Sequence, residues 1–129
     1  MIDDLMKWKG RRMVLARDLN GAGTLFGGRM LEWIDEESAI FTSCQLKTPR
    51  VVTAHMSEIN FVSPAFQGEI VEIGCEVIKF GKSSLTLKCY ARNKQTRATI
   101  VTVDKMVFVS VNELGQSVPH GISQHRVST

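Results

Sequence analysis

Hydrophobic positions along this chain repeat with two different periods, and the change between them falls at Pro49. Residues 11–17 are a short apolar run with basic flanks, which predicts a first strand; the Asp, Asn and Gly cluster at 18–23 predicts a turn. From Phe26 to about Gln45 the spacing is helical. Met30, Ile34 and Phe41 share one face, with Leu31, Trp33 and Ser38 on its shoulders and Glu32, Glu36 and Ala39 opposite. Lys47-Thr48-Pro49 is expected to end the helix, because the residue before a proline is pushed out of the helical region.

Beyond Pro49 the pattern alternates. Residues 50–61 begin β-branched, and Pro64 with Gly68 marks a break. Over 69–80, Val71, Ile73, Cys75 and Val77 face one way and Glu72 and Glu76 the other. Gly81-Lys82-Ser83-Ser84 reads as a turn. Leu85, Leu87, Cys89 and Ala91 then alternate with Thr86, Lys88, Tyr90 and Arg92. A polar connection at 93–97 leads to a long last strand at 98–111, and the Gly, Pro and polar residues from Asn112 onward predict a frayed tail. One strand, one long helix and four further strands make an α+β protein with an antiparallel sheet. A single helix covers only part of such a sheet, so a dimer joining two sheets edge to edge is expected.

Composition narrows the class. At 129 residues the chain is expected to be one domain, 1–129, with its core at about 12–111. Cys44, Cys75 and Cys89 lack CxxC or Cys/His spacing and sit in apolar patterns, so they read as reduced core residues. The acidic N-terminus has no apolar signal region and no run reaches membrane-spanning length, which predicts a cytoplasmic protein without a membrane partner. The net charge of +3 is scattered, which argues against a nucleic-acid surface but would help steer a polyanionic small molecule. His55, His120 and His125 share no metal-ligand spacing, and no serine or cysteine sits on a nucleophile elbow.

The chemistry concentrates between Asn20 and Glu37. Gly27 and Gly28 leave bare N–H groups at a helix start, where unpaired donors and the helix dipole favour a carbonyl oxygen or an anion. A carboxylate near that oxygen would complete an acyl-transfer site. Asp35 lies at the margin of the apolar face, whereas Glu32 and Glu36 point away. Glu37 falls near the centre of that face, either as an interface carboxylate paired with a cation or as an alternative base; periodicity alone leaves both open. Asp35 is eight residues beyond Gly27, ~12 Å along the axis. Groups acting on one carbon must lie within ~3.5 Å of it, so the expected site takes its amide from one subunit and Asp35 from a twofold mate.

Five segments in order resemble the hot-dog fold, and more narrowly the acyl-CoA thioesterases of the YciA and brain acyl-CoA hydrolase type. They are residues 18–28, Trp33-Ile34-Asp35-Glu36, Arg50-Val51-Val52-Thr53, Phe61-Val62-Ser63-Pro64 and Gly81-Lys82-Ser83-Ser84. The resemblance implies an antiparallel sheet wrapped around one central helix. It also implies hydrolysis of acyl-CoA to a free acid and CoA with neither metal nor prosthetic group. In this reading Gly27 or Gly28 polarises the thioester carbonyl, and Asp35 attacks it or activates water. Thr24 departs from the Asn or Asp common in relatives; its hydroxyl can orient a group but cannot act as a base at neutral pH. Contacts to CoA are expected from Gly81, Lys82, Ser83 and Ser84, unless these form an ordinary hairpin turn, with Asn20 and Phe26 also touching substrate. Arg50, Arg92 and Lys94 are weaker phosphate candidates. A homodimer is the expected minimum unit and a hexamer, a trimer of dimers, the expected assembly. A hot-dog dehydratase or hydratase would need a histidine near the helix start, and none lies between Asp18 and Glu37. A non-catalytic acyl-CoA sensor would need no Asp35 and would require a fused DNA-binding segment.

Overall fold

The computed structural model describes residues 5–123. In chain order it contains β1 (Lys7–Met13), a short 3-10 turn at Ala16–Asp18, α1 (Gly27–Leu46), β2 (Val51–Phe61), β3 (Ile70–Phe80), β4 (Ser84–Asn93) and β5 (Thr99–Ser110). The strands form one antiparallel sheet in the order β1-β3-β4-β5-β2, so β1 and β2 are its edges. The helix lies on one face of the sheet. It buries Met30, Trp33, Ile34, Ser38, Thr42 and Leu46, a stripe at three- and four-residue spacing. That stripe meets the inward set of β3, β4 and β5: Val71, Ile73, Leu85, Leu87, Cys89, Ala91, Val101, Val103, Met106 and Phe108. This is the α+β architecture that the two periods predict.

Three expectations are corrected. The first strand begins at Lys7 rather than Arg11, and residues 14–18 leave it for a turn in which the Asp18 carboxylate accepts the Leu15 N–H at 2.9 Å. Lys7-Trp8-Lys9-Gly10 does not alternate because Trp8 packs on the outer face, where the Arg92 guanidinium carbon sits 3.6 Å from its ring centroid. Lys9 is an inserted bulge residue as well: Trp8 pairs with Gly74 and Gly10 with Ile73. Second, Cys44 is exposed while Cys75 and Cys89 are buried. Six residues past Ser38, it has rotated off the buried stripe.

Third, the segment from Asn112 is fixed as far as Ile122. Val118 N–H donates to the Ser110 carbonyl at 2.9 Å, and His120 N–H donates to that of Lys82 at 3.2 Å. Ile122 N–H donates to His120 Nδ1 at 3.0 Å, so the proton sits on Nε2, 2.9 Å from the Ser84 carbonyl oxygen. The composition of this segment is that of a loose tail, but its backbone groups find partners on the 81–84 turn. His125 lies outside the described residues. The helix end is as expected: Lys47 adopts a left-handed φ of 58° and donates to Ser43. Among the described residues no helix is long and apolar enough to cross a membrane.

Candidate active site

The start of α1 is an uncapped helix end. Phe26 occupies the cap position without a side-chain capping bond, and the first rung runs from Met30 N–H to the Phe26 carbonyl at 3.0 Å. The amides of Gly27, Gly28 and Arg29 therefore stand outside the ladder, with no acceptor among the described residues. No acidic residue occupies the first turn to offset the dipole. The preceding loop is braced by hydrogen bonds of its own. Asn20 Oδ1 accepts from the amides of Ala22 and Thr24 at 2.9 and 3.0 Å, while Asn20 Nδ2 donates to Thr24 Oγ1 at 2.9 Å. Asn20 and Thr24 thus brace each other, and the Thr24 hydroxyl keeps its own proton to donate.

Beside this helix start is a cavity of about 310 Å³, lined among others by Asn20, Thr24, Gly27, Met30, Phe61 and Ser63. The missing side chains matter here. A Cβ on Gly27 would lie 3.3 Å from Phe61 Cε1, and one on Gly28 would lie 2.8 Å from Phe26 Cε2. Both phenyl rings therefore close on the bare backbone. Phe26 and Phe61 are 55% and 57% exposed, so they form an apolar lip.

Asp35 is on the third turn of α1 and does not line that cavity. Its Oδ1 accepts the Thr53 hydroxyl of β2 at 2.7 Å. Within one chain, then, Gly27 and Asp35 are not brought together: one sits beside Phe61 at the end of β2, the other beside Thr53 near its beginning. The sequence reading named neither of these β2 residues as a candidate. Thr53 and Phe61 belong to segments that carry the resemblance, but alternation cannot show which residue of an edge strand meets the helix.

Glu37 is a structural group. Its Oε2 accepts Arg12 Nη2 at 3.0 Å, and the same nitrogen donates to Glu36 at 2.9 Å. The paired cation is thus on the chain's own β1, not on a facing subunit. Burial alone would lower the Arg12 pKa, but its hydrogen bonds to Glu36 and Glu37 outweigh this and hold it above the ordinary value. Glu37 fits because Gly10 has no side chain: a Cβ there would lie 2.6 Å from Glu37 Cδ.

The 81–84 turn shows a one-sided polarity. Gly81 N–H donates to the Ser84 carbonyl at 2.8 Å, and Ser84 Oγ occupies the space a Gly81 side chain would take. The carbonyls of Lys82, Ser83 and Ser84 are engaged by His120, Ser110 and His120. What remains outward is the exposed Lys82 with its positive charge. The turn lies at the Thr53 end of the sheet, through the register Thr53–Phe108–Leu85. Arg92 is corrected as a phosphate candidate, being buried and ion-paired with Glu72 at 2.9 Å. Arg50 is exposed and pairs with Glu113 at 3.1 Å, and Lys94 lies on the hairpin at the other end of the sheet. Among the described residues no group of three His, Cys, Asp or Glu is placed to hold a metal ion.

Comparison with known proteins gives a consistent result. The profile of the thioesterase superfamily matches residues 22–100, more than half of the chain. A protein of Haemophilus influenzae named an uncharacterized acyl-CoA thioester hydrolase is 28% identical over 113 residues, 83% of this chain and 73% of that one. Among solved structures, an apo-hexameric acyl-CoA thioesterase is 31% identical with a TM-score of 0.76, over 85% of this chain and 72% of that one. A hexameric hotdog fold thioesterase of Campylobacter jejuni is 27% identical with a TM-score of 0.78, over 95% and 94%. The chain belongs to the thioesterase superfamily and has its hot-dog fold.

Proposed function

We propose that this chain hydrolyses acyl-CoA thioesters to a free carboxylic acid and CoA at two equivalent sites, each shared by two subunits of a dimer. The observation that carries the reading is the placement of Gly27 and Asp35 beside opposite ends of one free edge strand. Ser57 is midway between Thr53 and Phe61 on β2. Antiparallel pairing of β2 with a second copy about an axis beside Ser57 lays Phe61 against Thr53 of the partner subunit. Each Gly27 amide then faces an Asp35 of the other chain. β2 is an 11-residue edge strand carrying exposed Val52 and Phe61, the kind of edge that association covers. Assembly of dimers into a hexamer, in the cytoplasm, belongs to the same proposal.

The amide of Gly27 or Gly28 donates to the thioester carbonyl oxygen and stabilises the negative charge that grows there. Asp35 has two possible parts. As nucleophile it adds to the carbonyl carbon and breaks the C–S bond; the CoA thiolate takes up a proton, and water then cleaves the mixed anhydride. As base it removes a proton from water as the oxygen adds, and the same bond breaks. Thr24 and Asn20 hold the loop, Phe26 and Phe61 contact the first carbons of the acyl chain, and Gly81, Lys82, Ser83 and Ser84 of the partner subunit hold CoA. No metal or prosthetic group takes part.

The test is release of free CoA thiol from a panel of acyl-CoAs. The wild-type protein is expected to turn over, and Asp35→Asn to lose about a thousandfold in kcat with an unchanged fold. Wild-type turnover by Asp35→Asn would sink the reading.

A further inference from the structure

We infer that the cavity between β1 and the C-terminal half of α1 is a second binding site, for a free medium-chain fatty acid. It is a separate cavity of about 570 Å³, within the ~300–1,000 Å³ usual for small-molecule sites. Ile40 and Phe41 of α1 and Ile73, Val77 and Phe80 of β3 give it an apolar wall. The cavity lies on the other side of α1 from Asp35. Cys44 on its rim is nine residues past Asp35, about half a turn around the helix at ~100° per residue. Asp35 faces β2, whereas this cavity opens beside β1, the opposite edge of the sheet.

Charge identifies the head group. Two carboxylates line the cavity, and both are matched: Glu37 by Arg12 at 3.0 Å and Glu76 by Lys88 at 3.5 Å. Lys7 and Lys9 line the same wall with no carboxylate partner among the described residues. The β1 bulge is what gives that wall a second lysine: Lys9 is the inserted residue, and both it and Gly10 border the cavity. The buried side-chain oxygen of Gln45, a lining residue, has no hydrogen-bond partner, so its amide is free to rotate an N–H toward a bound carboxylate. An apolar tail against Ile73, Val77 and Phe80, with one negative head near Lys7 and Lys9, describes a fatty acid anion. Two lysines are too few for the phosphates of CoA. The site stands on its own lining and does not depend on the hydrolytic reading, although that reaction releases molecules of this class.

Cys44 provides the readout, because it lines the cavity and is the exposed thiol of the three. Alkylation of Cys44 by iodoacetamide, followed by peptide mass spectrometry, is measured with and without dodecanoate below its micelle concentration. At ten times its Kd, dodecanoate is expected to slow the reaction about tenfold. Dodecanol should protect much less, and Lys7→Glu/Lys9→Glu should remove the advantage of the carboxylate. Ile40→Trp, which fills the cavity from a position 57% exposed, should make labelling indifferent to dodecanoate. Asp35→Asn, hydrolytically dead, should be protected like the wild type, which separates this inference from the proposed reaction. Absence of protection, equal protection by dodecanol, or a Cys44 that is inert before any ligand is added would each overturn it.

Discussion

The Thr53 hydroxyl donates to Asp35 Oδ1 at 2.7 Å, tying the third turn of α1 to the free edge strand of the sheet. A carboxylate on a half-exposed helix face would otherwise sample several rotamers, and reaction needs one. In the proposed reaction Thr53 would act through Asp35, as a positioning residue. Thr53→Val keeps the shape and loses the donor. Steady-state kinetics should show kcat lowered by about 10- to 100-fold with KM little changed, and Thr53→Ser should recover most of it.

The Phe61 ring packs directly against Gly27 and leaves little room there for a side chain. A Cβ would sit 3.3 Å from the Phe61 ring, and the branched methyls of valine would press further into it. Gly27→Val is expected to fold, since the helix start tolerates a side chain, yet to lose hydrolysis by about a hundredfold or more, the scale of a removed oxyanion donor. Phe61→Ala added to Gly27→Val should recover part of kcat. No recovery would mean that the ring is not the obstacle.

A site shared between two subunits, as proposed, has a consequence that mixing tests directly. Asp35→Asn and Gly27→Val are each expected to be inactive alone. Refolded together in equal amounts, half of the dimers are mixed, and each mixed dimer holds one site with both native groups. About a quarter of wild-type activity should return, as twofold symmetry requires. If amide and acid came from one chain, every site would carry a defect and nothing would return.

How much of this was legible beforehand differs by residue. The helix over Gly27–Leu46 and the strands from β2 to β5 follow from spacing, because each has one face that must be buried. β1 was misplaced because Trp8 and Arg92 pack outside the core, so its apolar signal is absent where the strand begins. The bare amides of Gly27 and Gly28 at a helix start were readable from the residues, whereas Asp35 was preferred to Glu37 only through the resemblance, since periodicity left both open. Thr53 and Phe61 were not readable, because alternation along an edge strand does not show which of its residues meet the helix. A cation beside Glu37 was expected, but periodicity could not name Arg12, which the sheet brings to it.

Glu37 and Asp35 should separate cleanly. Glu37 packs on Gly10 and pairs with Arg12, so Glu37→Gln should retain hydrolysis while Asp35→Asn does not. Gly10→Ala places a Cβ 2.6 Å from Glu37 Cδ and forces that side chain away from Arg12. A loss of about 1 kcal/mol in urea unfolding is expected, with kcat unchanged. Glu37→Ala, which vacates the space, should make the Gly10→Ala change nearly silent.

Tyr90 gives a pH dependence with a definite sign. It is the single tyrosine of the chain, and its hydroxyl donates to Asp104 Oδ1 at 2.7 Å. Burial, with the hydrogen bond and the negative charge of Asp104, pushes its pKa from 10.0 to about 12. Below pH ~10 both folded and unfolded chains keep this proton, and the stabilisation is fully present. Above that, the unfolded chain releases the proton first, so stability falls until the folded tyrosine also ionises near pH 12. Tyrosinate absorbance of the native protein should therefore rise well above the ordinary range of a free tyrosine. Tyr90→Phe should be less stable at neutral pH and lose less stability than the wild type on going to alkaline pH. A native titration midpoint near that of free tyrosine would mean that Asp104 does not hold the hydroxyl in solution.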